Sequence, residues 1–197
     1  LGNGLRNKLP EMLAKGDLQG AKKAVTSSYA ALTMYVGLLI SIFLVSSSYI
    51  DWRNVLNSPM SDAEEINGLA TVVFIAFCVQ FLLGLIVSIL YAYQMPAANS
   101  LISFVSQVVT FIALIVQVYI FKVSSVFQIG AVNCLIPPLI MLLATIFLFA
   151  TKLREVAPTF KMIDFKYVSG ILSLGVKFFI LQIITIVIFQ ANSIIIT

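Results

Sequence analysis

The sequence contains no histidine, only two cysteines and few charges, since Asp, Glu, Lys and Arg together make up 10% of its 197 residues. Each shortage excludes a class of chemistry. Without histidine no Ser-His-Asp or Cys-His catalytic set can be built. Zinc sites of the His/Cys kind are excluded for the same reason. Cys78 and Cys134 both fall inside apolar runs and read as small buried hydrophobes, not as a disulfide or catalytic pair. Neither a metal site nor a cofactor is expected, and nothing in the charge pattern points to nucleic acid.

What is abundant is apolar surface: 60% of the residues are hydrophobic, and the mean hydropathy is +1.06. A water-soluble domain is about half apolar and about a quarter charged, so the excess must face lipid. Three stretches carry no Asp, Glu, Lys or Arg at all: Ala24 to Ile50, Ile66 to Phe121 and Val123 to Thr151, of 27, 56 and 29 residues. A spanning helix needs about 20 apolar residues. The first and third runs therefore predict one span each and the second predicts two. A fifth begins near Tyr167 and is interrupted only by Lys177. The expected spans are 27–50, 68–93, 100–121, 126–151 and 169–197. Strands of a membrane barrel would alternate over about ten residues, and that pattern is absent. The fold class is thus an all-α polytopic membrane protein.

The segments between the spans carry the sidedness. Residues 1–25 form a basic segment in which Leu5, Leu9, Met12 and Leu13 make one apolar stripe, suited to a short helix lying in the headgroup layer. Gly16 is expected to stop that helix and Asp17 to cap the next. Residues 51–67 are acidic, with Asp51, Asp62, Glu64 and Glu65 against Arg53. The acidic group at 62–65 reads as a solvated loop and helix start, not as a metal site. Residues 152–168 are again basic, with Lys152, Arg154, Lys161 and Lys166 against Glu155 and Asp164. The two basic segments are separated by four spans and so fall on one face, which the excess of Lys and Arg predicts to be cytoplasmic. The start of the chain is therefore expected inside and residues 51–67 outside. The first residue is not Met and the last residues continue an apolar pattern, so a piece of a longer protein is expected.

Polar residues within the spans are the candidate functional groups. Lys177 lies about 10 Å into the fifth span. It either contacts an anionic ligand or snorkels its long stem back to the basic interface. Gln182 is five residues further on, about 140° around the helix, so the two do not share a stripe. Gln80, Gln107, Gln117, Asn133, Gln190 and Asn192 either line a hydrophilic path or bond between helices. Pro137 and Pro138 sit mid-span shortly after Asn133, and broken helices near the midplane either mark transporter sites or are simple kinks. Gly37, Gly84, Gly130, Gly170 and Gly175 serve either close packing or hinging.

Two segments carry a family resemblance. GNGLRNKLPEMLAKGDLQGAKKAV, residues 2–25, resembles the cytoplasmic loop after the second span of bacterial O-antigen flippases, the polysaccharide-biosynthesis branch of the MOP exporter superfamily. PTFKMIDFKYVSGILSLGVKFFILQIITIVIFQANSIII, residues 158–196, is similar to the linker and seventh span that open the second lobe in that family. The resemblance implies a MATE-like, two-lobed transporter of 12 to 14 helices, of which this chain supplies the third to seventh. It implies a multi-pass protein of the bacterial inner membrane, not an enzyme, that flips an undecaprenyl-pyrophosphate-linked oligosaccharide by alternating access, with a coupling cation as a further partner. Lys177 matches the family's cationic cavity groups, and Gln182 and Asn133 are the other candidate substrate contacts, with Pro137 and Pro138 as the hinge. A cation-coupled multidrug exporter and a non-transporting membrane scaffold are the alternatives.

Overall fold

The computed structural model describes residues 2–47, 49–50, 52–55, 63–122, 125–164, 167–170, 173, 176 and 180. Among them the regular structure is helical throughout: α1 (Gly2–Ala14), α2 (Leu18–Ser47), α3 (Trp52–Val55), α4 (Ala63–Leu83), α5 (Leu85–Ala92), α6 (Pro96–Ile115) and α7 (Val126–Ala150). Among the described residues four units are long and apolar enough to cross a membrane: Leu18–Ser47, Glu64–Ala92, Pro96–Ile120 and Val126–Ala150. The chain is therefore a helical membrane-embedded protein. The fifth expected span, 169–197, lies almost wholly outside the described residues.

Local chemistry sets each helix end. After α1 the chain reverses at Gly16, whose φ of 71° suits glycine. Gly16 N–H donates to Leu13 O (3.1 Å) and Asp17 N–H to Met12 O (3.0 Å), which satisfies carbonyls the helix would otherwise leave open. Asp17 Oδ1 then accepts from Gly20 N–H at 2.8 Å and starts α2, and a side chain at Gly20 would collide with that carboxylate. α2 begins nine residues before the expected span because this cap precedes Lys22 and Lys23, which a helix accommodates as readily as a loop.

α1 does not present its stripe to headgroups. Leu5 and Leu9 are fully buried and Met12 and Leu13 pack against the same core, because α1 folds back along α2 and α5. The 3.6-residue period is satisfied by protein in place of lipid. On the outer side of α1 the Arg6 guanidinium lies 4.0 Å over the Tyr91 ring. Glu11 bonds Lys15 (2.7 Å) and Lys8 (3.1 Å), which hold its carboxyl below the ordinary range.

α4 and α5 form one span with an irregular step at Gly84. α5 ends as α1 does: Gln94 N–H donates to Tyr91 O (3.1 Å) and Met95 N–H to Leu90 O (2.8 Å). Here, however, Gln94 occupies the left-handed position, with φ 56°. A side chain there costs about 1–2 kcal/mol. Gln94→Gly is accordingly expected to raise stability by about 0.5–1 kcal/mol after glycine's entropy cost, measurable as a higher unfolding midpoint in detergent. Pro96 follows as the first residues of α6 begin, where its missing N–H is harmless.

α4 packs most extensively on α7. Gly68 lies under the Phe127 ring and Gly130 under Leu69, so two glycines let the backbones approach. Gly37 and Gly170 face open space. At the far end from α1, Phe43 stacks on Phe74 with centroids 3.8 Å apart, and Trp52 Nε1 donates to Ser47 Oγ at 2.9 Å. Tyr29 packs edge-on against Phe149 within the bundle.

Candidate functional site

Among the polar residues inside the described spans, one group lines a groove and Gln80 lines a separate cavity. The groove, of about 360 Å³, lies between α6 and α7 and is lined by Ser106, Gln107, Thr110, Phe111, Leu114, Asn133 and Pro137. Asn133 stands about 10 Å and Pro137 about 17 Å into α7 at 1.5 Å per residue, and Thr110 is about 21 Å into the Pro96–Ile120 span, so the groove is near mid-depth. Asn133 Nδ2 donates to Ile129 O at 2.6 Å, and Thr110 Oγ1 donates to Ser106 O at 2.8 Å. Those two bonds stay within their own helices, whereas the Gln107 amide carries two donors and an acceptor into a groove that is otherwise mainly apolar. Pro137 and Pro138 lack the N–H that would bond the carbonyls of Asn133 and Cys134 within the helix. α7 remains helical through both prolines; Pro138 is buried, while Pro137 lines the groove.

α6 has no buried residue, and Gln107 and Ser103 are exposed on it. Side chains of this kind are costly against hydrocarbon, so this flank suits a hydrated cavity or another polar surface. The sequence pattern that would have found Ser106 and Thr110 is their spacing: Asn99, Ser103, Ser106, Thr110, Ala113 and Gln117 recur every three or four residues and share one helix face. The stripe ends in a wider turn, Val116–Ile120, closed by Phe121 N–H to Val116 O at 3.1 Å. There Gln117 is buried and its Nε2 donates to Gln128 O at 3.1 Å, tying the end of α6 to the start of α7. Gln117 is thus an interhelical tie and not a cavity residue. Ser125 fixes the same corner: its Oγ accepts from Gln128 N–H (3.3 Å) and donates to Glu65 in the first turn of α4.

The separate cavity, of about 710 Å³, lies between α2 and α4, and its walls include Leu32, Tyr35, Phe77, Gln80, Phe81 and Gly84. Gly2 closes one end, so the start of α1 and the middle of α2 share a wall. The cavity is apolar except at Gln80, whose Oε1 is buried without a hydrogen-bond partner. Asn133 and Gln80 therefore belong to separate sites, one on each side of the α4–α7 seam. Lys177 and Gln182 lie outside the described residues, as do Gln190, Asn192 and Gly175. Cys78 is buried and Cys134 half-buried, both as free thiols.

Among the described residues named in them neither site carries a charge, since the charge-free runs cover all of these except Gly2. These residues can hold a ligand by hydrogen bonds and apolar contact. Fold and sites together define a polytopic helical membrane protein with polar groups at bilayer depth. Comparison with protein-family models, curated proteins and solved structures returns no match.

Proposed function

We propose that the chain is part of a MATE-like, two-lobed transporter of the bacterial inner membrane that flips a lipid-linked oligosaccharide to the outer leaflet. The observation that carries this reading is the half-open groove near mid-depth, mainly apolar, along which the uncharged polar side chains of Ser106, Gln107, Thr110 and Asn133 gather. Sugar hydroxyls both donate and accept, and amide and hydroxyl side chains bond them in either sense where water is scarce. A hydrated glycan otherwise loses its hydrogen bonds in hydrocarbon, at several kcal/mol per group. The resemblance of residues 2–25 and 158–196 to O-antigen flippases supports the same reading. In it the α1 end faces the cytoplasm, Lys177 contacts the pyrophosphate, and Asn133 and Gln107 contact sugar.

The test is complementation. The complete protein should restore surface polysaccharide in a flippase-deficient strain that makes its cognate sugar unit. Asn133→Leu combined with Gln107→Leu should lower export about tenfold at unchanged membrane abundance, equivalent to about 1.4 kcal/mol. Failure of the unsubstituted protein to restore export, or resistance to cationic drugs in place of it, would overturn the assignment.

A further inference from the structure

Lys22 and Lys23 stand at the charged end of α2, and the residues that follow them along the same side of the helix line a half-open groove. Lys22, Thr26, Ala30 and Met34 are successive i+4 neighbours, and Lys23 lies three residues before Thr26. The groove holds about 400 Å³. Among the described residues α2 lines it from Thr26 to Met34, and Pro158, Thr159 and Ile163 close it from the segment after α7. The two walls are tied near the lysines, where Thr159 N–H donates to Thr26 Oγ1 at 3.2 Å and Asp164 N–H to Ser27 Oγ at 2.8 Å. Further along, Thr33 Oγ1 is bonded to Tyr29 O at 2.8 Å, and Met34 is 67% exposed on a helix able to cross the membrane. The groove is therefore mainly apolar and opens toward lipid.

Its length and its charge both match a lipid. From Lys23 to Met34 the helix rises about 17 Å, and the hydrocarbon of one leaflet is about 15 Å deep. An acyl chain laid along the groove would place its headgroup level with the lysines. Charge at that level is positive, since Lys22, Lys23, Lys152, Arg154 and Lys161 outnumber Asp17, Glu155 and Asp164. Lys161 sits in the turn Phe160–Met162, between Thr159 and Ile163, which both line the groove. Lys22 and Lys23 are half-buried, and neither they nor Lys161 form an ion pair among the described residues, whereas Lys8 and Lys15 on α1 are both paired with Glu11. Unpaired ammonium groups beside an apolar groove favour an anion that carries a hydrocarbon tail.

We propose that this groove holds one phospholipid with an anionic headgroup, drawn from the leaflet at the α1 end. Its phosphate lies among Lys22, Lys23 and Lys161, and one acyl chain runs along Ala30, Thr33 and Met34. A net negative headgroup is needed, because a zwitterion brings its own ammonium to the same lysines. The bound lipid fills the space between α2 and residues 157–164 and so joins the two. The proposal rests on the chain being embedded in a membrane and not on the substrate carried.

The experiment is native mass spectrometry of the complete protein in detergent, titrated with phosphatidylglycerol or with phosphatidylcholine of identical acyl chains. One phosphatidylglycerol should bind more tightly than any phosphatidylcholine. Lys22→Gln with Lys23→Gln should weaken that binding about twenty-fivefold, at about fivefold per lysine, and Lys22→Arg with Lys23→Arg should retain it. Lys8→Gln with Lys15→Gln removes the same charge from α1 and should leave it unchanged. Ala30→Trp, which fills the groove with the lysines intact, should weaken it about tenfold by displacing about two methylenes. The lysine variants do not touch the core, so their outcome is independent of how well Ala30→Trp folds. The proposal is overturned if the two lipids bind alike, or if the α1 pair weakens binding as much as the α2 pair, the mark of general surface charge. Unchanged binding in a folded Ala30→Trp variant overturns it as well.

Discussion

Gly130→Leu is expected to separate α7 from α4 and to cost the protein more stability than any surface change. A single methyl on Gly130 would already stand 2.6 Å from Leu69 Cδ1, well inside contact distance. Leu69 ends in a flexible side chain, so Gly130→Ala is absorbed by a small rotation, but a branched side chain has to move the helix. Overpacking of this kind costs about 1–3 kcal/mol. Here it falls on the most extensive helix pair of the fold and also spreads the corner where Ser125 bonds Glu65. The measurement is the midpoint of unfolding in mixed micelles. Gly130→Leu should lower it strongly, Gly130→Ala little, and Leu69→Ala should rescue part of the loss. Equal midpoints for the Leu and Ala variants would show that the seam is not tight.

The second large effect is expected at α1. Leu5 and Leu9 are one turn apart and both fully buried, so Leu5→Ala with Leu9→Ala removes most of the apolar face that holds α1 to α2 and α5. Each truncation costs about 2–5 kcal/mol, and the two are close enough to couple. A docked helix of 13 residues has little stability of its own once that face is lost. Limited trypsin digestion should cut at Lys8 and Lys15 in the double variant while the spans stay intact. Asn7→Ala, on the exposed side, should leave the digestion pattern unchanged. Resistance of the double variant would mean that α1 is held by the membrane surface and not by the protein.

Much of this architecture is legible in the sequence because charge is so sparse. The charge-free runs place the four described spans to within a few residues at most ends, and Gly16 and Asp17 mark the first reversal as their chemistry requires. Asn133 and Pro137 are readable as polar and helix-perturbing groups, and the structure brings them into one groove. Other features are not readable from one strand of text. The stripe Leu5, Leu9, Met12, Leu13 has the same period whether lipid or protein covers it, so periodicity alone placed α1 in the headgroup layer. Gln80, Gln107 and Gln117 are chemically identical, yet one meets an apolar cavity, one the groove shared with Asn133 and one a backbone carbonyl. Only the packing of α4, α6 and α7 separates them. The hydroxyls of Ser106 and Thr110 are inconspicuous singly and become a surface through their spacing.

The wider turn at Val116–Ile120 has a consequence for how sequence changes can be tolerated. It holds one residue more than an α-helical turn, so it acts as an absorbed insertion at the end of the span. Because each helical residue advances the face by about 100°, the turn separates the rotational phase of Ser106 and Thr110 from that of the connection into α7. Loss of one residue above the turn would swing the whole hydroxyl stripe out of the groove. The same loss within the turn would convert it to ordinary helix, and the length of α6 is therefore far less constrained at its end than in its middle.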